Sequence, residues 1–562
     1  MSFVTLVFAA SLALAAWLTP NHYLPWVSYF GEVTMAFALV LAAGGELARS
    51  RFARVEFTPL LTATALLAGV PLLQLALGQI PFAGDAWMPF LYLLGAAIAI
   101  DLGRRLAARE GAVAVLETLA GLLVAASLVC VGLALYQWLG LEGLGILSID
   151  VPPGHRPFAN FGQPNHLATL LFLGLVGTLV LHERGRLNGP VTALCAVFIE
   201  FGMSMTGSRT AWLVTAALVL GILLAQRRAS LRLSRAGGLA LGVAFIGLLV
   251  AWQPLNDLLL LSGGRSFVNQ VQVGPRLLLW QTAVDAISSR PWFGYGWNQG
   301  LVAQAQVVID HPAGGRLMGN AHTLLLDLML WNGVPLGAAV FGFLAWWWWR
   351  HARTCRDATA FYLLAAISGV LVHALVEYPL SYAYFLLPVA LMMGALDQHG
   401  GASARWRVAA PWAWVGTAVA TALLTITVID YAKVESSTQV LRFEVARIGT
   451  GRIQSVAPDL RVLTQWGAYL RFARMEEPRT DLSADELAWM RAVTERFPYA
   501  ESQMRSAQAH GLNGRPDVAA LELQRLCSLQ TARRCKQQLA AWKALVATTS
   551  PQLAAVTLPR IP

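Results

Sequence analysis

Apolar runs long enough to cross a bilayer recur along this 562-residue chain, separated by short polar loops. A spanning helix needs roughly 20 mostly apolar residues, because each adds about 1.5 Å of rise. Reading the runs between charged loops predicts about thirteen helices, near 2–18, 25–45, 58–78, 88–103, 112–141, 164–182, 190–206, 210–226, 237–254, 323–349, 358–376, 382–398 and 409–429. The predicted fold class is therefore an all-α polytopic membrane protein. The first run, MSFVTLVFAASLALAAWL, has no basic segment ahead of it and does not lead into a soluble mature domain. It reads as a retained helix rather than a cleaved signal.

Two segments depart from the alternation. Residues 255–321 form a long loop between the ninth and tenth helices, and residues 431–562 contain no spanning run. In the tail, DELAWMRAVTERF has an amphipathic period, and AESQMRSAQAHGLNGRPDVAALELQRL reads as helix, Gly/Asn/Pro turn, helix. One such hairpin is too little to make a tetratricopeptide array. The expected organisation is a membrane domain over 1–430, with loop 255–321 included, and a helical domain over 431–562.

Composition agrees, with 56% hydrophobic and 13% charged residues. A net charge of +10 would suit a nucleic-acid partner, but the placement of the charges argues otherwise. The loops RSRFAR, GRRLAARE, HERGR, QRRASLRLSR, RHARTCR and ARWR hold 17 Lys/Arg, against six on the opposite side before residue 430. The positive-inside rule places those loops and the N-terminus in the cytoplasm, and loop 255–321 and the tail outside. The basicity is topological, and no nucleic acid is expected. Of the five cysteines, Cys527 and Cys535 share the outer, oxidising side. A bridge between them needs a turn, and LCSLQTARRC has neither Gly nor Pro to make one.

The six outer cations are Arg156, Arg209, Arg265, Arg276, Arg290 and Arg316. Arg209, in MTGSRTAW, sits where a helix is about to begin, a position that opposes the macrodipole unless an anion binds there. Lipid phosphates offer a second explanation. Arg276 follows Pro275 at the start of an apolar/aromatic pattern that suits a helix on the membrane surface. In RPFANFGQPNHLATLL, Gln163 can cap a helix whose first residue is Pro164, which puts Asn165 and His166 in its first turn. In GNAHTLLLDLMLWNG, Asn320 is the expected N-cap and His322 a first-turn residue. The positive helix end there favours a neutral imidazole, the form that takes a proton from a hydroxyl. Asp327, five residues on, falls on another part of the helix surface and reads as a poor orienting partner. VEYPLSYAY adds Glu377, Tyr378 and Tyr382 on the same side. A capped helix start, an interface histidine and anchoring tyrosines would explain each patch singly.

Together these segments resemble the bacterial O-antigen ligase superfamily and, within it, the PglL-type protein O-oligosaccharyltransferases. The resemblance rests on NFGQPNHLA, TGSRTAW, GPRLLLWQTAVDAISSRPWFGYGW, NAHTLLLDLMLWNGVPLG and VEYPL, and it covers the chain to about residue 430. Thr323 stands where the family often has Asn. The resemblance implies an inner-membrane enzyme acting on the periplasmic side by inverting, metal-independent transfer, with no cofactor. Its donor would be a glycan on undecaprenyl diphosphate, and its acceptor a Ser or Thr hydroxyl of an exported protein such as pilin. His322 then corresponds to the catalytic histidine, and Arg209 and Arg276 to the diphosphate-binding pair. Gln163 and Tyr378 match positions implied in activity, with Asn165, His166 and Glu377 as further substrate-binding candidates. Two rivals stand beside this reading: an enzyme of the same fold with a lipid or glycan acceptor, and a transporter. Transporters usually carry ionisable residues or broken helices near the midplane, whereas these spans read as nearly charge-free.

Overall fold

The computed structural model describes residues 3–50, 54–152, 154–261, 276–449, 454–475 and 479–561. Arg265 and Pro275 lie outside the described residues. Every predicted run coincides with an α-helix: α1 Phe3–Leu18, α2 Tyr29–Arg49, α3 Pro59–Ala76, α4 Ala83–Glu110, α5 Ala112–Trp138, α6 Pro164–Glu183, α7 Gly189–Met205, α8 Arg209–Ala225 and α9 Arg235–Leu258. After α10 Arg276–Ser289 and α11 Gly300–Val307, the series resumes with α12 Leu324–Thr354, α13 Ala358–Ala374, α14 Ala383–His399 and α15 Ala410–Val445. The tail holds α16 Thr464–Ala473, α17 Ala484–Arg496, α18 Ala500–Leu512, α19 Pro516–Leu529 and α20 Ala532–Thr548. Among the described residues eight helices (α2 to α6, α9, α12 and α15) are long and apolar enough to cross a membrane, while α1, α7, α8 and α13 are shorter apolar helices. A two-stranded antiparallel ribbon, absent from the sequence expectation, pairs β1 Val55–Phe57 with β2 Trp406–Val408. Glu56 on it binds Arg104 at 3.2 Å and Arg407 at 3.1 Å.

The chain divides into two compact units. The first comprises 1–68, 91–272 and 343–424. Its centre is α6, where His166 through Val180 are buried without interruption. A helix that is buried on every side needs close neighbours, and Gly174 permits one: a Cβ there would lie 2.0 Å from Ser127 Oγ of α5. The expectation of nearly charge-free spans needs qualifying. Glu32 in α2 and Glu200 in α7 are both buried, and Glu32 accepts bonds from Ser28, Trp26, Tyr92 and the Ala383 N–H.

The second unit comprises 69–90, 273–342 and 425–562. Here the run read as one helix over 323–349 proves to be two, broken at Gly333 (φ 78°, ψ 164°). Only glycine fits, since a Cβ would sit 2.2 Å from the Trp292 carbonyl oxygen. The carbonyls freed by the break are re-satisfied. Tyr295 N–H donates to Leu330 O at 2.9 Å, Gly296 N–H to Trp331 O at 3.0 Å, and Val334 N–H to Pro291 O at 2.7 Å. Gln74 Nε2 reaches Trp331 O and Asn332 Oδ1, each at 3.1 Å, while its Oε1 accepts from Trp297 N–H at 2.9 Å. Backbone deprived of helical bonds in an apolar setting requires such substitutes.

The tail is helical as read. Ser483 and Glu486 form a capping box at α17, and the α18–α19 hairpin turns at Asn513–Gly514 before Pro516. Cys527 and Cys535 are joined by a disulfide. The turn that permits it comes from Thr531, the N-cap of α20, whose side chain accepts from Arg534 N–H at 3.4 Å. Asp85 and Arg496 form a two-bond ion pair at 2.7 and 2.8 Å.

Candidate active site

In the first unit the candidate residues gather where α6 begins. Pro164 is the first helical residue and Gln163 the N-cap, as the sequence indicates, although the Gln163 side chain makes no cap bond. The segment ahead of it is held open by polar side chains. Gln137 donates to Ile149 O at 2.9 Å and Ala159 O at 2.6 Å, and accepts from Phe158 N–H and Ala159 N–H. Asn160 donates to Leu18 O at 2.7 Å and Leu147 O at 2.9 Å. Neither residue stood out in the sequence, because an amide's value as a clamp depends on which carbonyls the fold brings to it.

Asn165 joins three segments far apart in the chain. Its Nδ2 donates to Glu377 Oε1 at 2.8 Å, and its Oδ1 accepts from Ser208 Oγ at 2.8 Å. Ser208 is the N-cap of α8 and makes no side-chain cap bond, its hydroxyl proton being directed to Asn165; Arg209 is the first helical residue, as expected. Arg156 supports this turn from outside the helix, donating from Nη1 to Thr206 O and Gly207 O, each at 3.1 Å. One arginine therefore shapes the backbone that presents another. Arg209 is exposed and Glu377 buried.

His166 is fully buried, its Nδ1 3.2 Å from the Tyr384 hydroxyl and its ring 4.3 Å from that of Tyr382. Its Nε2 has no hydrogen-bond partner among the described residues. Tyr378 stands edge-on to His166 at 6.5 Å and stacks with Tyr382 at 6.0 Å. Thr169, one turn along α6, bonds both to Asn165 O at 3.1 Å and to His373 Nδ1. Asn165, His166, Glu377 and Tyr378 thus form one polar and aromatic cluster, joined to Arg209 through Ser208. Tyr384, Thr169 and His373 belong to it and were not singled out from sequence, since each sits inside an apolar run that reads as core.

In the second unit, Arg276 opens α10, as predicted. His322 is placed differently from the expectation. Asn320 is not the N-cap: α12 begins at Leu324, and the Thr323 carbonyl accepts the first intrahelical bond, from Asp327 N–H at 3.0 Å. His322 precedes the helix in the left-handed region, with φ 57°. A first-turn effect of the helix dipole on its ring therefore does not apply. The reason for the shift is Asp327, whose Oδ1 accepts from Ala321 N–H at 2.6 Å and draws the chain into a turn before the helix starts. Asp327 thus meets the backbone ahead of His322, a contact that its spacing along the helix does not suggest. Among the described residues no group of three or more His, Cys, Asp or Glu side chains is arranged to hold a metal.

Comparison with known proteins follows the same segments. A protein glycosylation ligase model matches residues 157–182, an O-antigen ligase model residues 193–341, and a model of the C-terminal part of virulence factor membrane-bound polymerases residues 361–545. The chain is 32% identical over 410 residues to the general O-oligosaccharyltransferase of Acinetobacter baylyi, covering 71% of this chain and 70% of that protein. It is 30% identical over 250 residues to the ComP-specific O-oligosaccharyltransferase of the same organism, covering 43% and 44%. A helical membrane chain that carries the ligase segments and this extent of identity belongs to the PglL-type O-oligosaccharyltransferases of the O-antigen ligase superfamily, and is a glycosyltransferase.

Proposed function

We propose that this chain transfers a glycan from undecaprenyl diphosphate to Ser or Thr hydroxyls of exported proteins, pilin among them, at the periplasmic face of the inner membrane. In this reading the polypeptide crosses the bilayer thirteen times, with the N-terminus cytoplasmic. Residues 1–430, with the loop 255–321, form the transferase domain, and the helical domain 431–562 is periplasmic. The acceptor oxygen attacks the anomeric carbon with inversion as the bond to the diphosphate oxygen breaks. The hydroxyl proton passes to His322, and the negative charge left on the diphosphate is met by Arg209 and Arg276. Gln163, Asn165, His166, Glu377 and Tyr378 line the approach of the sugar or its carrier.

The observation that carries this reading is the construction of the Arg209 turn. Ser208 donates its hydroxyl proton to Asn165 and makes no side-chain cap bond, so the first N–H groups of α8 lack a serine cap at the turn that carries Arg209. That arrangement suits a phosphate far better than it suits a structural helix start. The test is co-expression with a lipid-linked glycan pathway and a pilin, followed by mass spectrometry of Ser/Thr peptides. Glycan on pilin is expected; glycan found only on lipid A core or in polymer would overturn the choice of acceptor. Arg209→Lys and Arg276→Lys keep the charge but lose the planar fork, and both should weaken donor binding at matched protein levels.

A further inference from the structure

Ala321, the residue ahead of His322, is held through both of its backbone polar groups. Its N–H donates to Asp327 Oδ1 at 2.6 Å, and its carbonyl accepts from Trp280 Nε1 at 3.0 Å. Ala321 is fully buried and Asp327 only 2% exposed. A buried carboxylate at the start of an apolar helix is costly to keep, and here what it holds is the turn with His322 at φ 57°. Trp280 lies one helical turn after Arg276 on α10. Its indole N–H thereby ties the helix that begins with Arg276 to the turn that carries His322.

We infer that Asp327 and Trp280 are positioning residues for His322, acting through the backbone of Ala321 rather than through the ring. This rests on the reading of His322 as the residue that receives the acceptor proton. Asp327 fixes the left-handed turn that aims the imidazole, and Trp280 sets the distance between that turn and α10. Neither side chain needs to touch donor or acceptor. The consequence is a defect in turnover without a defect in binding: a ring displaced by a fraction of an ångström misses the hydroxyl, while the donor is held elsewhere.

The experiment uses the full-length chain in detergent or nanodiscs, with undecaprenyl-diphosphate-linked oligosaccharide extracted from glycan-producing cells and purified pilin. Initial rates give kcat and the donor KM for His322→Ala, Asp327→Leu, Asp327→Asn, Trp280→Phe and the Asp327→Leu/Trp280→Phe pair. Asp327→Leu should lower kcat by about 100-fold, the scale of a 1 Å misplacement, with donor KM unchanged. Asp327→Asn keeps one acceptor oxygen for Ala321 N–H and should recover most of that loss. Trp280→Phe keeps an aromatic ring but loses the N–H with the fused five-membered ring, and should cost about 10-fold in kcat, less than multiplicatively in the double variant. Should Asp327→Leu fail to fold, Trp280→Phe decides the matter, because it removes the other hydrogen bond to Ala321 while leaving the carboxylate in place. Wild-type kcat in Trp280→Phe and in a folded Asp327→Leu, or in Trp280→Phe alone where Asp327→Leu does not fold, would overturn the inference while an inactive His322→Ala left the site reading standing. An active His322→Ala would overturn both.

Discussion

Replacing Asn165 by Leu removes two 2.8 Å hydrogen bonds while preserving most of the side-chain volume. The bond to the Glu377 carboxylate is of the charge-assisted kind, worth roughly 1.5–3 kcal/mol, and the bond from Ser208 is a neutral one worth roughly 0.5–1.5 kcal/mol. Together they amount to about 2–4.5 kcal/mol, or between one and three decades if the whole loss were expressed in a binding constant. Part of it will appear as stability instead, since Asn165 also joins α6 to the segments around 208 and 377. The buried face of α6 from His166 onward is untouched, so the helix itself should persist. The expected result is a fall in thermal midpoint of several degrees together with at least a tenfold rise in donor KM. Ser208→Ala alone should reproduce the part that reaches Arg209, and the double variant should be less than additive. Thermal unfolding in detergent gives the first quantity, and binding of the undecaprenyl-diphosphate-linked glycan the second. Wild-type values for both would mean that the Asn165 bridge supports neither the fold nor the Arg209 turn.

His322→Ala should bind donor yet lose about 100- to 10,000-fold in transfer, measured as pilin glycosylation at matched protein level; near-normal transfer would make the residue an interface anchor. Converting Cys527 and Cys535 to Ala opens a loop with a sequence separation of 8, which loop-closure entropy values at about 2.5 kcal/mol. A lowered thermal midpoint of the oxidised chain should follow, and full alkylation of both thiols without reductant would refute the bridge. His510 is buried in α18, and that burial, followed by the charges of Arg515 and Arg491, holds its imidazole below the usual range. Its folded-state preference is thus for the neutral form. Its contribution to stability is complete above about pH 6.5 and falls as the pH drops through that value toward the folded-state pKa. His510→Phe should flatten this limb of the stability–pH curve, and an unchanged limb would assign it to other groups.

The apolar runs were legible as helices because most depend on signals carried within the run itself: apolar length, a proline at N1 of α6, and charged loops that end the runs. Arg209 and Arg276 were placed at their helix starts for the same reason. What the chain does between distant segments was not legible. Asn165, Ser208 and Glu377 each look like ordinary polar residues at helix edges, and only the packing of α6, α8 and the 377 segment turns them into one bonded set. The Cys527–Cys535 bridge was doubted for want of Gly or Pro, yet a threonine cap makes the turn once α20 has a core to pack against. The start of α12 was misjudged because N-cap propensity at Asn320 is a weak local preference, whereas the Asp327 carboxylate and the Trp280 indole claim the N–H and the carbonyl of Ala321. The same holds at Gly333, where a continuous apolar run is broken. Peptide groups from 291–297 and the amide of Gln74, more than 250 residues away, supply the hydrogen bonds that the helix gives up. Local sequence sets which backbone groups must be satisfied; tertiary structure decides which partners satisfy them, because in an apolar interior no water is there to do so.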